Sequence, residues 1–325
     1  MGSIGIVANP ASGKDVRRLV ARASVFDNQE KQAIVRRALT GATAAGATEF
    51  AYLNDAHGIV AGALEEHKTA IKATAVDATQ TGTALDTISA ARALQDHGCS
   101  VVITLGGDGT NRAFALGWSD APLIPISTGT NNVFPTLIEA TVAGAAAGLI
   151  AAGHFSIEDV AQRHKLIRVT VDDERADLAL IDAVLSRERF VGARALLNPE
   201  LLDTALVTIA NPAAVGITSV AGLLHPVGNI EDLGLLLRFG PDVDTVYAPI
   251  APGYYQSVQV TEHRLVNFVE EIEVSGPGVL AFDGERDRVL KAGQNAQMSV
   301  ERSGPWIIDV EKTLQLAAEK GLFRR

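Results

Sequence analysis

Short apolar runs alternate with amphipathic stretches along the first half of the chain. Ser3–Ala8, Phe50–Leu53, Ala70–Val76, Val101–Leu105 and Leu123–Ile126 are brief and apolar, as buried strands of a parallel sheet are. Between them, Val16–Ala23, Gln29–Leu39, Gly58–His67 and Ala84–Gln95 read as helices, the last with Leu85, Ile88, Ala91 and Leu94 on one side. A further helix is expected over Pro135–Ala152, alanine-rich, with Gly144 and Gly148 implying a close-packed neighbour. Strands that alternate with helices build a parallel sheet covered on both faces, a Rossmann-like α/β domain over residues 1–153.

After Gly153 the spacing changes. Lys165–Asp172, Ala176–Ser186, Leu206–Ala210, Ser257–Thr261, Glu270–Ser275, Val279–Asp283 and Gln297–Glu301 read as strands. Gly192–Leu197 and Ala213–Leu224 are turns or short helices between them. This describes a second, mainly antiparallel β domain over residues 154–303. Residues 304–325 form a C-terminal segment whose helix, Glu311–Lys320, is expected to return to the first domain.

Ligands of open parallel sheets sit beyond the carboxyl ends of the strands. Three polar turns fall on that edge. After Val101–Leu105 come Gly106, Gly107, Asp108, Gly109, Thr110 and Asn111, where glycines let a ligand approach the main chain and a following helix N-terminus suits phosphate. Asp108 there could hold Mg²⁺ or accept a proton from an attacking hydroxyl. After Ser3–Ala8 comes Asn9-Pro10-Ala11-Ser12-Gly13-Lys14-Asp15. It departs from a Walker loop, with Ala8 where the first glycine is needed and Asp15 where Ser or Thr would hold Mg²⁺. Ser12, Gly13 and Lys14 still offer donors and charge to a phosphate. After Leu123–Ile126 comes Ser127-Thr128-Gly129-Thr130-Asn131-Asn132, able to bond a ribose or phosphate or to cap the next helix. In the second domain, Asp283-Gly284-Glu285 sets two carboxylates at a hairpin tip, a pattern that a solvated hairpin also explains.

Composition narrows the classes. The 325 residues are 47% hydrophobic and 20% charged, with net charge −10, which disfavours nucleic acid as a partner. The single cysteine, Cys99, leaves no disulfide or cysteine metal cluster within the chain. The longest apolar stretch, Thr141–Gly153, is too short to span a bilayer, and no leader pattern opens the sequence, so a reducing, cytoplasmic setting is expected. The seven histidines lack metal-ligand spacing, and no Gly-x-Ser-x-Gly elbow occurs.

Asn9-Pro10-x-Ser12-Gly13, Gly106-Gly107-Asp108-Gly109-Thr110, Gly129-Thr130-Asn131-Asn132 and Asp283-Gly284-Glu285 stand in the order found in the NAD kinase/diacylglycerol kinase superfamily, which the chain resembles over nearly its whole length. The runs Ile6–Asp15 and Ala23–Lys31 look most like its acetoin catabolism protein X branch. The resemblance implies an α/β domain and a C-terminal β-sandwich with nucleotide bound between them. It implies ATP and Mg²⁺ as cofactors, NAD as substrate or ligand, and a homo-oligomer acting on a small molecule, away from membranes. The activity implied is phosphorylation of the NAD ribose 2′-hydroxyl, with Asp108 as base, or Glu285 as in the lipid-kinase relatives. A pattern that grips the dinucleotide in NAD kinases, an Asn-Glu pair, matches only Ile181-Asp182 here. The Thr-Ala-Tyr-Ser motif matches loosely at Gly216–Val220. Asp182 remains a ribose-binding candidate, and the alternatives are another hydroxyl metabolite, a lipid, or nucleotide binding without catalysis.

Overall fold

The structure is a computed structural model that describes residues 2–13, 26–65, 71–129, 131–172, 174, 176–187 and 198–324. The expected helix over Val16–Ala23 and the turn Gly192–Leu197 lie outside the described residues. In the first half, β1 (Ser3–Ala8), β2 (Glu49–Leu53), β3 (Lys72–Val76), β4 (Cys99–Gly106) and β5 (Pro122–Ser127) alternate with α1 (Asn28–Ala44), α2 (Ile59–Leu64), α3 (Ala84–Asp96), α4 (Asp108–Gly117) and α5 (Ala140–Ala151). The second half holds α6 (Ile157–Val160), β6 (Ala161–Arg163), β7 (Leu166–Val171), β8 (Asp177–Ala179), β9 (Asp182–Ser186), β10 (Leu202–Val207) and α7 (Ile217–Leu224). It continues through β11 (Leu233–Ala251), β12 (Tyr254–Asn267), β13 (Ile272–Ser275), β14 (Gly278–Phe282), β15 (Glu285–Leu290) and β16 (Asn295–Glu301) to β17 (Trp306–Ile308) and α8 (Val310–Glu319).

One seven-stranded sheet has the order β3-β2-β1-β4-β5-β17-β6, parallel from β3 to β17. The strands β1 and β5 are buried at every position, which is why their sequences are apolar runs rather than alternating ones. Edge strand β3 is exposed at Lys72, Ala73, Thr74 and Ala75. Helix starts are set by side-chain caps: Asp27 accepts from the Glu30 N–H and Thr83 from the Leu85 N–H. The close packing expected at α5 is real, since a Cβ on Gly144 would stand 1.9 Å from the Ala38 carbonyl of α1. After β16 the chain re-enters the first sheet through β17, and α8 follows it against α5.

The remaining strands form a six-stranded antiparallel sheet, β12-β11-β10-β9-β14-β15, and a four-stranded one, β13-β16-β7-β8. Leu185, Leu206, Leu236 and Phe282 of the first meet Ile167, Val169, Met298 and Val300 of the second in one core, so the two sheets make a sandwich. The outer face of the larger sheet is covered by α7 through Val220 and Ala221.

Three points need correction. The helix placed at Pro135–Ala152 begins only at Ala140, because residues 131–139 are drawn into loop bonds: Ser127 N–H donates to Thr136 O at 2.8 Å and Thr136 N–H to Pro125 O at 3.2 Å. Glu139 then caps α5 by accepting from the Thr141 and Val142 N–H groups. The single strand Ala176–Ser186 is two strands in different sheets, broken at Leu180-Ile181. The 19-residue β11 has no counterpart in the sequence reading. Its apolar start, Leu233–Leu237, is followed by Gly240-Pro241-Asp242, which reads as a loop but is accommodated as a register shift between Phe239 and Asp244. Among the described residues no helix is long and apolar enough to cross a membrane.

Candidate functional site

Three turns leave the carboxyl edge of the parallel sheet side by side. Ala8 of β1 lies in register with Leu105 of β4, and Gly106 with Ser127 of β5. Side chains knit the turns together. Asn9 Nδ2 donates to Thr110 Oγ1 at 2.8 Å, and Ser12 Oγ lies 2.9 Å from Thr128 Oγ1. Thr128 N–H in turn donates to Gly106 O at 3.2 Å. Gly13 closes the first turn with φ of 74°. Lys14 and Thr130 lie outside the described residues.

Beneath the first turn lies Lys31, fully buried, from the first turn of α1. Its Nζ donates to the carbonyls of Asn9 at 2.9 Å, Pro10 at 3.2 Å and Ser12 at 2.7 Å. A cation gathered under a turn favours a polyanion above it. Sequence reasoning carried Lys31 only inside a resembling run. The available signal was a lysine in a helix's first turn, where the macrodipole disfavours positive charge.

The glycine turn is braced from below by buried Asn111, which accepts from Thr104 Oγ1 at 2.7 Å and donates through Nδ2 to Gly107 O at 2.9 Å. Gly107 is the N-cap of α4, and Asp108 its first residue, so the carboxylate sits at the positive end of the helix dipole. That carboxylate accepts the Val133 N–H at 3.1 Å and the Phe134 N–H at 2.9 Å. It therefore fixes the loop that carries half-buried Asn131 and Asn132. Asn132 Nδ2 donates to Ser127 Oγ at 2.7 Å, with its amide against Gly107 and Gly129.

The sandwich contributes the hairpin of β14 and β15. Its two-residue turn, Asp283-Gly284, has φ of 50° and 77°, as a primed turn requires, with Phe282 opposite Glu285. Asp283 is not a solvated tip. Its carboxylate is buried and accepts the N–H groups of Leu180 at 3.0 Å, Ile181 at 2.7 Å and Asp182 at 3.2 Å. Burial pushes its pKa up, against the opposing pull of those bonds and the Arg112 guanidinium. Asp283 thus clamps the bend between β8 and β9, and its oxygens face main chain rather than a ligand. Asp182, expected to reach a ribose, opens β9 largely buried within that clamp.

Glu285 returns to the first domain. A Cβ on Gly109 would stand 2.5 Å from Glu285 Oε1, so this carboxylate rests directly on the first turn of α4. Asp108 and Glu285, 177 positions apart in the sequence, share one helix N-terminus. Arg112, one turn further along α4, locks the contact. It donates to Leu178 O at 2.7 Å and Asp177 Oδ1 at 2.8 Å, and its guanidinium lies 4.7 Å from the Phe282 ring centroid. Arg112 escaped the sequence reading because nothing local marks which residue of α4 will meet the sandwich. Tyr247 and Tyr255 form an exposed ring pair 5.2 Å apart on the β11–β12 hairpin.

No group of three or more His, Cys, Asp or Glu side chains able to hold a metal occurs among the described residues. Asp108, a carboxylate at a phosphate-type turn, fits Mg²⁺ as it is usually bound, by one or two carboxylates and the ligand's own phosphates. The ensemble can hold a polyphosphate over a buried cation and a helix N-terminus, beside a carboxylate placed to take a proton.

Comparison with known proteins agrees with this architecture. The ATP-NAD kinase N-terminal domain family matches residues 4–155, and the acetoin catabolism protein X C-terminal domain family matches residues 165–303. Acetoin catabolism protein X of Cupriavidus necator is 33% identical over 340 residues, covering 99% of this chain and 94% of that protein. Among solved structures, yeast NADH kinase complexed with NADH shares the fold with a TM-score of 0.52 at 12% identity, over 100% of this chain and 88% of that one. A putative diacylglycerol kinase from Bacillus anthracis aligns at a TM-score of 0.45 and 11% identity, over 94% and 96%. With its two halves matched in order and a full-length relative at that identity, the chain belongs to the acetoin catabolism protein X family.

Proposed function

We propose that the chain is a phosphotransferase that moves the γ-phosphoryl group of ATP to a hydroxyl, with the ribose 2′-hydroxyl of NAD as the leading acceptor. The observation that carries this reading is the seating of Glu285 on Gly109, beside Asp108, among three tethered phosphate-type turns. Phosphoryl transfer asks a protein mainly for alignment, charge neutralisation and a modest base. Lys31, the Asn9–Gly13 turn and the α4 N-terminus hold the donor phosphates. Glu285 accepts the proton as the acceptor oxygen bonds to phosphorus and the bond to the ADP oxygen breaks. Asp108, already accepting two backbone N–H groups, serves as a positioning residue for the 131–134 loop. Mg²⁺, which Asp108 and the donor phosphates would hold, would neutralise charge on the transferred group.

A second reading changes the acceptor. Where NAD kinases carry their Asn-Glu pair, this chain has Ile181 fully buried and Asp182 largely buried, which favours another hydroxyl metabolite, a lipid, or nucleotide binding without transfer. Labelled ATP offered with NAD, NADH, acetoin and diacylglycerol separates these. Glu285→Gln should lower turnover by about 10²–10⁴-fold at unchanged nucleotide affinity. Asp108→Asn should weaken acceptor and donor binding as well, by loosening the loop. Full turnover in Glu285→Gln removes it as the base.

A further inference from the structure

At the other end of α4 from Glu285 lies a cleft of about 680 Å³ between the two domains. That size is typical of small-molecule sites. Ile88, Leu116 and Leu178 give it an apolar part of the lining. Arg92, Arg163, Arg168 and Arg288 also line it, against one carboxylate among the described residues, that of Asp177. Asp177 already pairs with Arg112, Arg168 with Glu301 and Arg288 with Glu174. Among the described residues, the lining groups and these partners make five guanidiniums and three carboxylates, a surplus of two positive charges in a chain of net charge −10. Arg163 is held in place by its bonds to Ser303 O and Gly304 O, both at 3.3 Å, and Arg92 makes no ion pair among the described residues.

We propose that this cleft is a second ligand site, for a small organic phosphate whose dianion meets the arginines and whose carbon skeleton lies against Ile88, Leu116 and Leu178. Two charges of surplus match one phosphate monoester. The cleft is separate from the nucleotide turns. It begins at Ala115, and the Arg112 guanidinium bonded to Leu178 O and Asp177 walls it off from Gly109. The same wall gives the site a means of acting on transfer. An anion drawn to the cleft repels Asp177, and Asp177 anchors the helix on which Asp108 and Glu285 meet.

The protein carries its own reporter. Of its two tryptophans, Trp118 stands between lining residues Gly117 and Ser119, and Trp306 lies 6.0 Å beneath the lining Arg163 guanidinium. The full chain is titrated with glycerol 3-phosphate, inorganic phosphate, glycerol, and sodium chloride at matched ionic strength, with tryptophan fluorescence as readout. Saturable change with glycerol 3-phosphate, weakened about tenfold or more in Arg92→Ser/Arg288→Ser and kept in Glu285→Gln, is expected. Saturation by inorganic phosphate at equal affinity overturns the role given to the carbon skeleton and leaves a site for the free anion. No saturation, an equal response to chloride, unchanged affinity in the double arginine variant, or displacement by ATP overturns the proposal. Binding here and phosphoryl transfer are read separately, so failure of one leaves the other standing.

Discussion

Gly109→Ala isolates the contact on which the proposed chemistry depends. The new Cβ would stand 2.5 Å from Glu285 Oε1 and 2.8 Å from its Cδ, well inside contact distance, while no backbone atom is among the three nearest. The obstacle is the far end of a flexible side chain, so the carboxylate swings off the helix and the fold is kept. Its departure costs the interaction with the α4 dipole, about 0.3–1 kcal/mol. Alanine in place of glycine returns roughly 0.5–1 kcal/mol in a helix. The two nearly cancel, so the melting temperature should move by no more than about 4 °C. Turnover should behave quite differently, falling about 10²–10⁴-fold, because the displaced group is the base. The assay pairs steady-state ATP-dependent transfer with thermal denaturation for wild type, Gly109→Ala, Glu285→Ala and the double variant. If the glycine matters only by making room for Glu285, the double variant is no slower than Glu285→Ala. Wild-type turnover in Gly109→Ala, or independent and additive losses, would refute the assignment.

Two further outcomes test the scaffold rather than the chemistry. Gly144→Ala drives a Cβ to 1.9 Å from the Ala38 carbonyl, a backbone atom that cannot rotate away, so chemical denaturation should show a loss of about 1–3 kcal/mol with substrate KM unchanged. His164 is buried with Nδ1 2.6 Å from Lys165 O, and burial pushes its pKa from 6.5 to about 4. Between those values the unfolded chain binds the proton and the folded one does not, so stability is full above pH 6.5 and falls as pH drops toward 4, by up to about 3 kcal/mol. Asp283, raised by burial, has the opposite sign, so the measurement is the difference in acid slope between wild type and His164→Asn. Equal slopes would show that His164 does not contribute.

The parallel sheet was legible because its strands are buried on both faces and leave unbroken apolar runs, as in Val101–Leu105. The turns at Asn9, Gly106 and Ser127 were legible for a local reason, the glycine and amide chemistry at strand ends. What local pattern hides is pairing across distance. The carboxylates of Asp283 and Glu285 are two residues apart, yet one is consumed by the amides of Leu180–Asp182 and the other reaches Gly109. No periodicity separates them, since their fates are set by partners about 100 and 176 positions away. Strand β11 was lost for the converse reason: its local signals, Gly240 and Pro241, are those of a loop, and only pairing with β12 makes it a strand. Lys31 and Arg112 act through carbonyls and a carboxylate of other elements, so they too needed the tertiary structure to be seen.

The chain crosses into the sandwich and back out of it at one place. The outgoing link runs through Arg163 and His164, the returning one through Ser303, Gly304 and Pro305, and the two are bonded to each other, His164 N–H to Pro305 O at 2.8 Å and Gly304 N–H to His164 O at 3.1 Å. The second tie between the two halves is Arg112, bonded to Leu178 O and Asp177. Two separate ties fix the tilt of the sandwich on the parallel sheet more firmly than either would alone, so cutting one by mutation should move Glu285 off Gly109 even though neither tie lies in the hairpin.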